Sequence, residues 1–128
     1  MSEPNDRPDD RSILDEERLL RWVTPNQLIP EEGGLRISSA AFNNPELSVN
    51  IETLMVLQGR KPESLLDALP GFALTSIKAK QVRAFDLPIV LDCEPPEDPA
   101  HALVLGKKSK SFTNEMKRSH VWVVPPKQ

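Results

Sequence analysis

Leu35-Arg36-Ile37-Ser38-Ser39-Ala40-Ala41-Phe42-Asn43-Asn44-Pro45-Glu46-Leu47-Ser48-Val49-Asn50-Ile51 decides the fold class of this chain. Successive side chains of a strand point to opposite faces. Leu35, Ile37 and Ser39 therefore share one face, with Arg36 and Ser38 on the other. Leu47, Val49 and Ile51 alternate with Ser48 and Asn50 just as cleanly, which marks a half-buried strand. Asn43-Asn44-Pro45 is a turn between the two. The pattern predicts an antiparallel hairpin with a long connection.

Toward the N-terminus, Glu31-Glu32-Gly33-Gly34 is a turn. Leu19-Leu20-Arg21-Trp22-Val23 ends at Pro25, and Trp22 and Val23 favour strand. Ser12 can cap a short helix before it, with Asp15 three residues on. Residues 1–11 are polar, charged and Pro-containing, and are expected to form a disordered acidic tail ahead of one domain over residues 12–128. Toward the C-terminus, Glu52–Gln58 reads as a helix closed by Gly59. Pro62–Leu69 reads as a second helix, begun by Pro62 and ended by Pro70-Gly71. Phe72–Ile77 is a strand, and Lys78–Phe85 a helical excursion with Val82 and Phe85 as its buried pair. Ile89–Leu91 is a strand, followed by a stiff Pro-rich loop at Glu94–Pro99. A strand over 101–105, a helix over about 108–119 and the strand Val121–Val124 complete the chain, and Pro125-Pro126 stops it. The order predicts α+β: a single small domain with a mixed, mostly antiparallel sheet and short helices on one side.

The chain has 128 residues and needs no staple to fold. The single Cys93 excludes an internal disulfide and makes a reducing cytoplasm the expected compartment. No apolar run approaches the roughly 20 residues that span a bilayer, so no membrane association is expected. Net charge is −3, unevenly spread: residues 1–18 hold seven acids and three arginines, while residues 101–128 hold five lysines and one arginine against Glu115. With no Tyr, two Trp and four Phe, the chain lacks the aromatic platforms that grip single-stranded nucleic acid.

Gly106-Lys107-Lys108-Ser109-Lys110-Ser111 follows a strand and opens a helix. Cations crowd a helix N-terminus, where the dipole disfavours them, and that misfit points to an anion. On the predicted helix Phe112 and Met116 share the core-facing side. Lys107, Lys110, Lys117 and Arg118 fall within about a 100° arc opposite, with Lys108 near Glu115. These five cations are the candidate anion-binding ridge; an ordinary solvated face is the alternative reading of the same charges. The segment is no phosphate loop: His101 stands where G-x-x-x-x-G-K-[ST] needs its first glycine.

His101 is either a hydrogen-bonded, partly buried side chain or a general acid or base beside Lys107. Arg36 and Ser38 share a strand face that is either the wet side of a hairpin or the wall of a cleft for a phosphate or carboxylate. Trp22 and Trp122 are expected to anchor a core or an interface. Cys93, beside Asp92 and Glu94, is a poor nucleophile. Two widely spaced histidines and one cysteine make no zinc site, and no cofactor motif is present.

Leu20-Arg21-Trp22-Val23-Thr24-Pro25, Arg36–Phe42 with Leu47-Ser48-Val49, Gly71-Phe72-Ala73-Leu74, Pro99-Ala100-His101-Ala102 and Gly106–Lys110 resemble a group of small bacterial proteins without an established activity. The likeness spans roughly residues 19–124. It implies a single bacterial domain and no particular reaction. Arg21 and Ser38-Ser39 also resemble the first two motif positions of ADP-ribosyltransferase-like folds, though no glutamate takes the third. The expected role is thus a non-catalytic adaptor working by protein–protein contact in a bacterial multi-protein system. The rivals are a nucleic-acid or phosphate binder using the basic helix, and an enzyme using Arg21, Arg36, Ser38 and His101.

Overall fold

The computed structural model describes residues 7–92 and 98–127. Leu19, Leu20 and Val23 alternate across the middle of the sheet, in strand β1 (Arg18–Val23). Every residue of β1 pairs with β5 (Ala73–Lys78), from Arg18↔Lys78 to Val23↔Ala73. On its other side β1 meets β4 (Glu46–Ile51) at only two positions, Leu19↔Ile51 and Leu20↔Asn50. β4 pairs with β7 (His101–Leu105), and β7 with β6 (Ile89–Leu91). At the far side β5 pairs with β8 (Val121–Val124) across an irregularity at Leu74/Thr75. The six-stranded order is β6-β7-β4-β1-β5-β8, and every pairing in it is antiparallel. A separate two-stranded sheet joins β2 (Leu28–Glu31) to β3 (Gly34–Ile37). The fold class is α+β in one small domain.

Side-chain alternation gives the sheet two faces. Leu19, Val23, Val49, Ile51, Ile77 and Val104 build the main core on the first, and α2 (Ala79–Arg83) and α3 (Lys110–Ser119) cover it with Val82, Phe112 and Met116. Burying each of these large side chains contributes about 1.5–3 kcal/mol. Phe85 meets Phe112 edge-on, with ring centroids 5.4 Å apart. On the second face Leu20 and Leu74 form a smaller cluster with Met55 of α1 (Glu52–Leu57), padded by Leu65 and Leu66 from the Pro62–Leu66 turn. The helical layer expected on one side is thus held by α2 and α3, with α1 as a small cap opposite. Among the described residues no helix is long and apolar enough to cross a membrane.

Gly106 sets the approach to α3. Its φ of +109° favours glycine, and a Cβ there would sit 3.1 Å from Leu87 Cδ2. Its amide donates to the Pro45 carbonyl at 3.0 Å, tying this loop to the start of β4.

Three expectations are corrected. The hairpin of residues 35–39 with 47–51 does not form: β3 pairs with β2, a strand the alternation did not reveal, and β4 enters the large sheet. No helix starts at Ser12, because Asp10 Oδ1 accepts from both its amide at 2.9 Å and its hydroxyl at 2.6 Å, making a turn. Pro62–Leu69 shortens to a 3-10 turn over Pro62–Leu66. Within the segment expected as a tail, Asp10 N donates to the Ile89 carbonyl at 2.8 Å and Asp9 Oδ1 accepts from Ile89 N. Cys93 and most of the Glu94–Pro99 loop lie outside the described residues.

Candidate functional site

Ser109 caps α3, its Oγ accepting from Phe112 N at 3.0 Å. Lys107 and Lys108 therefore precede the helix and Lys110 is its first residue. Lys108 leaves the expected ridge. Its ammonium turns inward and donates to the carbonyls of Gly106 at 2.6 Å, Val104 at 2.9 Å and Pro45 at 3.2 Å. Lys117 and Arg118 stand in the last turn, where the dipole favours cations, and Arg118 pairs with Glu115 at 2.8 Å. The ridge divides into Lys107 and Lys110 at one end and Lys117 and Arg118 at the other.

Burial lowers the Lys108 pKa to about 8. An unfolded lysine titrates near 10.5, so between these values the unfolded chain binds more protons and stability rises with pH. Below pH 8 the full burial penalty of the charged form is in place. Water reaches part of this side chain, and screening holds the effect to about 1 kcal/mol. The unfolding free energy of the wild type relative to Lys108→Met should climb from pH 8 to 10.5. A constant difference across that range contradicts this placement.

The four candidate enzyme residues do not converge. Leu20↔Asn50 and Asn50↔His101 put His101 on the second face, whereas Arg21 points into the first. Arg21 is buried, and its guanidinium donates to the Ala41 carbonyl at 3.0 Å and the Ser48 carbonyl at 3.2 Å. Burial lowers its pKa from the ordinary arginine value. Arg36 lies on the small hairpin, 3.5 Å from Glu31. Ser38 caps the Ser39–Ala41 turn, its Oγ accepting from Ala40 N at 3.1 Å. His101 begins β7 and Lys107 lies two residues past its end, so the length of the strand, about 13 Å by strand rise, separates them.

His101 Nδ1 instead lies 3.2 Å from Asp92 Oδ2 and 3.0 Å from the Asp92 carbonyl. Beside it, Asp98 takes Arg60 NH1 at 2.8 Å and Asn50 Nδ2 at 3.0 Å. Burial raises the Asp98 carboxyl, but hydrogen bonds from Arg60, Ala100 N and Asn50 more than reverse that and hold it below the usual range. Asp92, Asp98 and Arg60 escaped the sequence reading because no spacing links them. Among the described residues no hydroxyl hydrogen-bonds to His101, and the cluster ties Asp92 and Asp98 to the start of β7.

His120 shows the reverse arrangement. Thr75 Oγ1 is 2.6 Å from its Nδ1, and Trp122 packs edge-on at 4.7 Å. Burial lowers the His120 pKa, leaving the ring neutral at pH 7. Thr75 is fully buried and His120 half-buried, so the pair is a hydrogen bond at the margin of the core. Among the described residues no group of three or more His, Cys, Asp or Glu could hold a metal ion.

The two edges of the large sheet differ. At the β6 edge Asp9 Oδ1 accepts from Ile89 N at 2.8 Å, and Asp10 N donates back to the Ile89 carbonyl, so the N-terminal segment covers the Ile89 end of that strand. At the other edge β8 pairs with no further strand among the described residues. β8 carries Val121, 58% exposed, and Trp22 is 40% exposed two strands away. By alternation both project from the second face, where α1 also exposes Val56 and Leu57. The signal for this edge was present in Val121-Trp122-Val123-Val124 before Pro125-Pro126, an apolar strand run without a charge to blunt it.

No protein-family model, no curated protein and no solved structure matches the chain.

Proposed function

We propose that this domain is a non-catalytic, cytoplasmic adaptor of a bacterial multi-protein system, and that it holds a protein partner by strand addition at β8. The supporting observation is the asymmetry of the sheet: one edge is bonded at Ile89 by the chain's own N-terminal segment, and the other is apolar and pairs with no further strand among the described residues. An added strand gains main-chain hydrogen bonds from such an edge and reads side chains at alternate positions. The scattering of Arg21, Arg36, Ser38 and His101 weakens the ADP-ribosyltransferase-like reading. The inward turn of Lys108 weakens the nucleic-acid reading.

Affinity capture from the native host, with and without nuclease, tests this against a Val121→Lys variant. Val121 is exposed, so the lysine leaves the core intact while blunting the edge. A nuclease-resistant partner recovered at about one to one, and reduced at least tenfold by Val121→Lys, is the expected result. Equal recovery with both proteins removes β8 as the docking edge. Recovery of nucleic acid, with partners lost on nuclease treatment, moves the function to the lysines around α3.

A further inference from the structure

A recess of about 290 Å³ lies where the start of β1 meets the end of β5 and α3 runs into β8. Arg18, Ser76, Lys78, Gln81, Ser119 and Val121 line it. None of its basic residues belongs to the ridge around α3. Arg18 and Lys78 are register partners on adjacent antiparallel strands, so two cations project side by side from one face. Like charges placed directly opposite destabilise a sheet unless something offsets them. Glu52 offsets part of this, accepting from Arg18 NH2 at 2.6 Å.

The donors left over define the chemistry. Arg18 Nε is buried and has no acceptor among the described residues. A buried N–H without a partner costs about 1–3 kcal/mol, and such groups are matched in nearly all folded proteins. The Lys78 ammonium is exposed and has no acceptor among the described residues. Gln81 uses its Oε1 on Lys78 N at 3.4 Å, which leaves its NH2 group to donate. Ser76 and Ser119 spend their hydroxyl hydrogens on the Val121 carbonyl at 3.1 Å and the Glu115 carbonyl at 2.7 Å. The recess therefore offers a guanidinium edge, an ammonium and an amide NH2, with Glu52 as the one carboxylate bonded to them among the described residues.

From this donor set we infer that the recess binds a compact oxyanion, a phosphate or carboxylate group, between Arg18 and Lys78. A planar guanidinium matches two oxygens, and the ammonium adds a point charge. Glu52 competes for Arg18 and sets the guanidinium's orientation. The site is independent of strand addition at β8. Val121 borders both, so the test leaves Val121 unchanged.

The measurement is an amide NMR titration of the full chain with inorganic phosphate, and separately with acetate, at constant ionic strength. Saturable shifts centred on Lys78, Gln81, Ser119 and Val121 are expected with at least one anion, and the anion that saturates names the group. Lys78→Gln should weaken binding about tenfold; the side chain is exposed and the fold does not depend on it. Glu52→Gln should tighten binding severalfold, because the competing carboxylate is gone, an effect that a purely structural role for Arg18 would not produce. Shifts that never saturate with either anion overturn the proposal. So do shifts centred on Lys107 and Lys110, or affinities unchanged in both variants.

Discussion

Arg21→Ala is expected to lower the unfolding free energy by about 3 kcal/mol, read as a fall in urea midpoint with little change in slope. The reason lies in the gap between β1 and β4. Their ladder stops after Leu20↔Asn50, although both strands continue. Arg21 spans the opening, donating Nε to the Ala41 carbonyl and NH1 to the Ser48 carbonyl. It thereby stitches β1 to β4 and to the turn beneath them. Alanine would leave both carbonyls unpaired and open a hole beside Val23 and Thr75. Burial of an unpaired polar group and a residual cavity each destabilise, and here they add. Arg21→Lys should recover less than half of the loss, since one ammonium does not reproduce a fork aimed at two carbonyls. An Arg21→Ala protein with the wild-type midpoint would show that the stitch bears no load.

The elements with a clean period were legible in advance. β4, β7 and α3 announced themselves through alternation or an i, i+4 apolar pair, with Pro125 as a stop for β8, and β5 read as an apolar run without a clean period. Pairing was not legible, because it is a long-range property. Leu35-Arg36-Ile37 read correctly as a strand, yet its partner is Leu28-Ile29-Pro30-Glu31, a segment whose proline is unusual inside a strand. A two-stranded sheet tolerates that proline since its missing N–H needs no ladder partner. The site followed the same division. The charges around α3 were visible as letters, but Lys108 folding onto three carbonyls depends on where Pro45 lies. The Arg18–Lys78 recess depends on β1–β5 register, which no local pattern encodes. Ser12 misled because its N-cap pattern competed with the Asp10 carboxylate, which reached it first.

Arg83→Ala is expected to release the segment from Asp9 to Asp15 and to cost about 3 kcal/mol, since charge-assisted hydrogen bonds contribute about 1.5–3 kcal/mol each and are not additive. Arg83 is the hub of that segment and its side chain is only 12% exposed. It donates Nε to Asp9 Oδ2 at 3.0 Å, NH1 to Asp15 Oδ1 at 2.8 Å and NH2 to the Asp10 carbonyl at 3.0 Å. Ile13, buried in the main core, is the apolar anchor between them. Burial raises the Asp9 carboxyl, but the Ile89 amide, Arg11 and Arg83 more than reverse that and hold it below its ordinary value of 3.8. A depressed carboxyl contributes stability above that ordinary value and loses it as pH falls through the lowered one. The wild type should therefore loosen this segment as pH drops below about 4, and Arg83→Ala should show a shallower acid dependence. Hydrogen exchange at Ile89 N is the local readout, because that amide is held by Asp9. Loss of the segment also uncovers β6, giving the sheet a second bare edge. Exposed edges pair with one another, so the variant should self-associate at concentrations where the wild type does not. Unchanged exchange at Ile89 in a monomeric Arg83→Ala protein would mean that something other than this segment closes the β6 edge, and would remove the asymmetry on which β8 is singled out.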